Sequence, residues 1–137
     1  MAYWLMKSEP GDYSWDDLVR DKRTYWDGVR NYQASNNLKA MKRGDLSFFY
    51  HSVKAREIVG VMKVVKTYYP DHTDESGRFG MVDVVPVKPL GKPVHLSDIK
   101  ADPRLKDLAL VRQSRLSVVP VSNAHWAILC AMGDIAP

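Results

Sequence analysis

The chain has 137 residues, 45% of them hydrophobic, and this size and composition indicate one compact domain over residues 1–137. Its 20 basic and 16 acidic residues give a net charge of +4, which is too small an excess for a polybasic tail or a membrane anchor. The longest apolar run covers residues 126–132, far short of the roughly 20 residues that cross a bilayer.

Short strands and capped helices are predicted in the first third of the chain. Residues 3–7 have the composition of a strand and end at a Pro-Gly turn. Ser14 begins a capping-box pattern, which predicts a short helix to about residue 21. Asn31 is a favourable N-cap for a second helix that reaches residue 41.

Strands dominate the middle of the chain. An aromatic-rich strand is predicted over residues 46–51, with one of its faces in the core. A longer strand follows over residues 58–69, and Gly60 inside it indicates a bulge or a close approach of another group. Residues 81–87 form a further strand, in which Pro86 indicates a sheet edge or the end of the strand.

Short helical pieces and one strand are predicted in the last third. Residues 96–100 and 105–111 have the pattern of short helical or irregular segments. Residues 116–121 read as a strand, and Ser122 caps a final helix that ends at residue 132. Because crossover helices do not alternate with the strands, we predict an α+β fold with a small, mixed, mostly antiparallel, barrel-like sheet and flanking short helices.

The cysteine content and the N-terminal segment indicate the cellular compartment. One cysteine, Cys130, excludes an internal disulfide and a multi-cysteine metal site, and its apolar neighbours predict that it packs in the core. The first residues lack the features of a signal peptide. We expect a cytoplasmic protein, or a nuclear one in a eukaryote, that binds no membrane.

Motifs of catalysis and cofactor binding are missing from the sequence. It has no glycine-rich phosphate loop, no closely spaced histidine pair and no nucleophile elbow. The four histidines lie in separate segments, so we expect neither a metal site nor a cofactor.

Four segments nevertheless combine aromatic, polar and cationic side chains, at residues 7–10, 26–33, 48–52 and 112–117. An aromatic face can stack on a nucleic-acid base, short polar groups can read the edge of that base, and arginines can hold phosphates. The same segments also fit ordinary strand ends, helix caps and core packing. The residues alone therefore leave two alternatives open, a base-binding pocket and ordinary structural roles.

The same segments resemble the EVE domain family, in the order in which the family has them. The matching strings are Lys7-Ser8-Glu9-Pro10, Trp26-Asp27-Gly28-Val29-Arg30-Asn31-Tyr32-Gln33-Ala34, Phe48-Phe49-Tyr50-His51-Ser52, Tyr69-Pro70-Asp71-His72-Thr73, Met81-Val82-Asp83-Val84 and Arg112-Gln113-Ser114-Arg115-Leu116-Ser117. The resemblance implies a PUA-like fold and a non-catalytic, monomeric reader of nucleic acid. Its expected ligand is a modified base, of the methylated-cytosine type in DNA or a modified base in RNA.

The resemblance also implies a set of binding residues. Trp26 is expected in the base pocket, and Arg112 and Arg115 are expected to hold the phosphate backbone. The remaining pocket residues are Lys7, Ser8, Asp27, Asn31, Tyr50 and His51.

Two other functions are compatible with the sequence. An enzyme acting on a nucleotide or nucleic acid would use Glu9, Asp27 or His51 as acid or base. A protein-interaction module would bury Trp26 completely, with no cavity beside it.

Overall fold

The computed structural model describes all 137 residues and contains one six-stranded sheet with short helices around it. The strands are β1 (Tyr3–Ser8), β2 (Thr24–Tyr25), β3 (Leu46–His51), β4 (Glu57–Pro70), β5 (Gly80–His95) and β6 (Val118–Val121). The α-helices are α1 (Trp15–Asp21), α2 (Tyr32–Ala40), α3 (Leu96–Ala101), α4 (Ala109–Arg112) and α5 (Asn123–Met132), and a 3₁₀ turn covers Pro103–Leu105. None of the helices is long and apolar enough to cross a membrane.

The sheet has the strand order β2-β5-β4-β3-β1-β6. The pair β1 and β3 is parallel, and every other neighbouring pair is antiparallel. The predicted α+β class with a mixed, mostly antiparallel sheet is therefore confirmed. The hydrogen-bonded sheet does not close, because β2 and β6 are its free edges.

Both faces of the sheet are covered around β1 and β3. Phe48 stacks on Trp126 of α5 with ring centroids 3.9 Å apart, on one face. Phe49 points to the other face, where it meets the edges of Trp15 and Trp26. The prediction that one face of β3 lies in the core is confirmed, and the other face is packed as well, since both phenylalanines have 0% exposure.

Local signals placed the helix starts correctly. The hydroxyl of Ser14 accepts from the N–H of Asp17, whose carboxylate accepts from the Ser14 N–H, so the capping box is complete. The side chains of Asn31 and Ser122 cap α2 and α5 in the same manner.

The strand β5 differs from its prediction. It was expected to end at residue 87, whereas it continues to His95 through Pro86, Pro89 and Pro93. Prolines are tolerated there because β2 pairs with β5 only near Asp83, so the rest of that side of β5 is a free edge. The expectation that Pro86 marks an edge is confirmed.

At Gly60 the strand pairing is irregular and another side chain approaches the backbone closely, and a glycine inside a strand predicted either of these features. The register shifts between Ile58 and Gly60 in the pairing of β4 with β5. A Cβ atom on Gly60 would lie 2.5 Å from the ring of Trp15. The indole therefore covers the backbone of β4 where a side chain would stand.

Replacing Gly60 with alanine should destabilise the fold, because the rigid Trp15 ring and the β4 backbone would have to separate. Overpacking of this kind typically costs about 1–3 kcal/mol. Urea unfolding followed by circular dichroism measures the change, with Gly11→Ala as the control, because a Cβ atom at Gly11 would lie in open space. Equal stability of wild type and Gly60→Ala would show that the contact is not tight.

Candidate nucleic-acid interface

A cavity with a volume of about 660 Å³ lies at the end of β1. It contains four of the residues expected to bind a base: Lys7, Ser8, Trp26 and Asp27. We call it the Trp26 cavity. Its other walls are the turn after β1, the end of α1 and the segment from Arg23 to Gly28.

Trp26 belongs to the core and to the cavity at once. The residue is 7% exposed and its ring meets Phe49 edge-on at a centroid distance of 5.3 Å. The only buried side-chain N or O atom without a partner is Nε1 of Trp126, so the indole N–H of Trp26, which also has no partner in the chain, is not fully buried. Complete burial without an adjacent cavity, as an interaction module would require, does not describe this residue.

The Trp26 cavity is acidic. Its lining contains the carboxylates of Glu9, Asp12, Asp21 and Asp27, against the two cations of Lys7 and Arg23. Arg23 is already engaged, since its guanidinium pairs with Asp83 at 2.9 Å. Carboxylates attract the amino groups of bases and repel phosphates, so the charges of this cavity suit a base rather than the backbone.

A hydrogen-bonded floor supports the cavity. The Ser8 hydroxyl donates to the carbonyl of Tyr13 at 2.6 Å, and the Tyr13 hydroxyl donates to Asp21 at 2.9 Å. These contacts join the end of β1 to both ends of α1. The Ser8 hydroxyl is therefore a fixed group that retains accepting capacity toward a ligand.

Asp71 positions the loop that carries Trp26, and reasoning from the sequence did not identify it as a site residue. Its carboxylate is fully buried and accepts from the backbone N–H of Gly28 and the guanidinium of Arg30, each at 2.9 Å. The hydroxyl and N–H of Thr73 donate to its other oxygen at 2.6 and 2.7 Å. One carboxylate thus ties the segment after Trp26 to the turn after β4.

A second cavity, of about 340 Å³, holds three more of the predicted residues: Asn31, Arg112 and Arg115. We call it the arginine cavity. Arg112 has one exposed partner, Asp107, at 3.2 Å. An exposed pair of this kind holds a guanidinium weakly, so both arginines are available to a phosphate.

A third cavity, of about 470 Å³, contains Tyr50 and is lined by the cations Lys7, Arg56 and Lys100 without any carboxylate. We call it the Tyr50 cavity. The ammonium of Lys7 lies 5.9 Å from the centre of the Tyr50 ring and donates to the carbonyl of Ser114 at 2.9 Å. Burial lowers the pKa of Lys7 and raises that of Tyr50.

The three cavities adjoin one another. Lys7 lines both the Trp26 cavity and the Tyr50 cavity, and Ser114 lines both the Tyr50 cavity and the arginine cavity. The cavities therefore form a series, in which the basic Tyr50 cavity shares one lining residue with the acidic Trp26 cavity and another with the arginine cavity.

His51 is the predicted residue that lines none of these three cavities. Its Nε2 accepts the N–H of Trp15 at 3.1 Å, which satisfies a free donor at the start of α1. Burial lowers the pKa of His51, in keeping with a neutral ring that accepts a hydrogen bond. Its role in the structure is to fix α1.

No group of three histidine, cysteine, aspartate or glutamate side chains is arranged to hold a metal ion. Cys130 is fully buried in α5, and burial raises the pKa of its thiol to about 11. It is therefore a core residue, as its apolar neighbours predicted.

Comparisons with known proteins match this architecture over the whole chain. The model of the EVE domain family matches residues 2–132. Human thymocyte nuclear protein 1 is 34% identical over 170 aligned residues, which cover 99% of this chain and 76% of that protein.

Solved structures share the PUA-like fold in detail. A crystal structure of a protein from Agrobacterium tumefaciens is 42% identical with a TM-score of 0.96, and covers 99% of this chain and 95% of that one. Human THYN1, crystallised in complex with DNA containing 5-methylcytosine, is 34% identical with a TM-score of 0.93 and full coverage of both chains. The chain belongs to the EVE domain family.

Proposed function

We propose that this chain is a non-catalytic nucleic-acid reader that binds one modified base, of the methylated-cytosine type, in the Trp26 cavity. The observation that carries the proposal is an indole that lines an acidic cavity, which shares Lys7 with a basic one. The complex of human THYN1 with 5-methylcytosine DNA supports the ligand class, because that protein shares the fold and a third of the sequence. Such a protein would work in the compartment that contains its nucleic acid. For the relatives, the name thymocyte nuclear protein 1 indicates the nucleus.

The division of charge assigns different parts of a nucleotide to different cavities. The Trp26 cavity offers an aromatic wall, the Ser8 hydroxyl and the Asp27 carboxylate, which suit a base with an amino group. Lys7, Arg112 and Arg115 lie outside or at the rim of that cavity and suit phosphates. A base inside a duplex cannot reach a cavity of this depth, so a duplex ligand would have its base flipped out of the stack.

The enzyme alternative has weaker support. Glu9 and Asp27 do line the Trp26 cavity, but the accepting nitrogen of His51 is occupied by the Trp15 N–H. A general base must reach the proton that it removes, and this imidazole does not line the cavity. Glu9 and Asp27 are both exposed, and the Ser8 hydroxyl beside them donates to the Tyr13 carbonyl rather than to either carboxylate.

Binding to matched oligonucleotides tests the proposal. Fluorescence anisotropy should compare short DNA strands with one 5-methylcytosine or one cytosine at the same position, and the corresponding RNA strands. A methyl group in a complementary pocket is worth about 10-fold or more in affinity, so we expect at least that preference for the modified strand. Equal affinity for both strands would contradict base reading, and product formation on prolonged incubation would favour an enzyme.

Salt dependence should reveal the arginines. If Arg112 and Arg115 each neutralise one phosphate, removing either one should lower the slope of log affinity against log salt by about 0.7–0.9. Arg112→Gln and Arg115→Gln should each show this, whereas Arg104→Gln, whose guanidinium pairs with Asp102, serves as the control. An unchanged slope in both variants would show that the nucleic-acid phosphates do not contact these two arginines.

A further inference from the structure

Tyr32 is the most exposed aromatic side chain of the molecule, with 61% of the residue open to solvent. It is the first residue of α2 and follows Asn31, whose side chain caps that helix. Its ring packs against Phe79 at a centroid distance of 5.0 Å and a tilt of 39°. An exposed ring backed by a second ring is a preformed surface for a flat, partly apolar ligand.

Arginines surround this aromatic pair. The guanidinium of Arg30 lies 5.9 Å from the centre of the Phe79 ring, and it is held by Asp71 and by the Thr73 hydroxyl at 3.0 Å. Arg78 directly precedes Phe79 in the chain and adds a second positive charge to this segment. The patch therefore combines an exposed ring with cations at its border, which is the composition that binds bases of single-stranded nucleic acid.

The patch is continuous with the surface already described. Asn31 and Gln33, the chain neighbours of Tyr32, both line the arginine cavity, and Gln33 donates to Gln113 of that cavity at 2.8 Å. In the other direction, the segment leads back to Gly28 and the Trp26 cavity. A strand whose phosphates lie on Arg112 and Arg115 would thus pass next to the Tyr32 ring.

We propose that Tyr32, supported by Phe79 and Arg30, is a second stacking platform that binds an unpaired base flanking the base in the Trp26 cavity, on the same strand. This inference rests on the proposed function and extends the ligand from one base to a short single-stranded segment. Stacking requires only the π-face of a base, so the platform accepts any flanking nucleotide and sets affinity rather than sequence preference.

Ligands of two lengths distinguish binding in the Trp26 cavity from stacking on Tyr32, because only the longer ligand can reach both. Isothermal titration should compare 5-methyl-2′-deoxycytidine alone with a trinucleotide that has it in the centre, for wild type, Tyr32→Ala and Tyr32→Phe. We expect Tyr32→Ala to weaken binding of the trinucleotide about 10-fold and to leave binding of the nucleoside unchanged. Tyr32→Phe keeps the ring and should remain within about twofold of wild type for both ligands.

The experiment distinguishes a failure of the Tyr32 platform from a failure of base reading in the Trp26 cavity. Val87→Ala is the control, because Val87 is also an exposed apolar side chain (47%) but has no ring on which a base could stack. Unchanged trinucleotide binding by Tyr32→Ala, with melting temperature also unchanged, would overturn the platform while leaving base reading intact. Equal loss of nucleoside and trinucleotide binding would assign Tyr32 to the base cavity and overturn it as well. Failure of wild type to bind any of these ligands would instead contradict base reading itself.

Discussion

Replacement of Asp71 with asparagine is expected to lower the free energy of unfolding by about 3 kcal/mol, because it removes the charge from a buried carboxylate that pairs with Arg30. An asparagine side chain has one acceptor oxygen instead of two, so it cannot serve both Thr73 and the Gly28 N–H. Urea unfolding at pH 7 measures the loss. The control is Glu75→Gln, an exposed carboxylate in the same turn, which should change stability little.

The same substitution should change how stability depends on pH. Burial alone would raise the pKa of Asp71, but hydrogen bonds from Thr73, Gly28 and Arg30 outweigh it and hold the pKa well below its usual range. A carboxyl whose pKa is lower in the folded state stabilises the protein above its unfolded pKa of about 4, and this contribution fades as the pH falls below that value. Between pH 7 and pH 3, wild type should therefore lose more stability than Asp71→Asn. Parallel profiles would show that Asp71 is not the linked group.

Replacement of Trp26 with alanine should have the largest effect on binding. Loss of one stacking partner typically costs about 1–3 kcal/mol per base, which corresponds to a 5- to 150-fold loss of affinity. Because the ring is 7% exposed and packs on Phe49, stability should fall too, by about 3–5 kcal/mol. Binding is therefore measured by anisotropy at low temperature, after circular dichroism has shown that the variant is folded.

Trp15 provides a matched control for this variant. It is also 7% exposed and also meets Phe49 edge-on, at 5.7 Å, but it lines none of the three cavities. Trp15→Ala should lose a similar amount of stability and keep its affinity for the methylated strand. If both variants lose affinity equally, the effect comes from the shared core and not from stacking on Trp26.

Features of the fold that depend on neighbouring residues in the chain could be predicted. The caps at Ser14, Asn31 and Ser122 and the breaks near Gly60 follow from side chains within a few positions. The length of β5 could not be predicted from local patterns. Its prolines have no backbone N–H, so they are tolerated only where no neighbouring strand needs a donor at that position. That depends on the sheet order, which no local pattern encodes.

The candidate site shows the same division. Lys7, Ser8, Trp26 and Asp27 meet in one cavity, although three strands separate β2 from β1 in the sheet order, and the motifs had grouped them. Tyr50 is elsewhere, and strand alternation explains why: it shares the face of Phe48, opposite to Phe49 and Trp26.

Alternation places Tyr50 and His51 on opposite faces of β3, in agreement with their different surroundings in the structure. Asp71 is the opposite case, since nothing near it in the sequence indicates that its partner is Arg30, 41 positions away. Long-range ion pairs of this kind become visible only when the strands are in place.

A crystal structure of the chain with a short DNA containing one 5-methylcytosine tests the central claim most directly. The account predicts that the modified base lies in the Trp26 cavity, against the indole, with its amino group toward Asp27 and the adjoining phosphates on Arg112 or Arg115. A modified base that remains stacked in the DNA, with the Trp26 cavity free of nucleic acid, would contradict it.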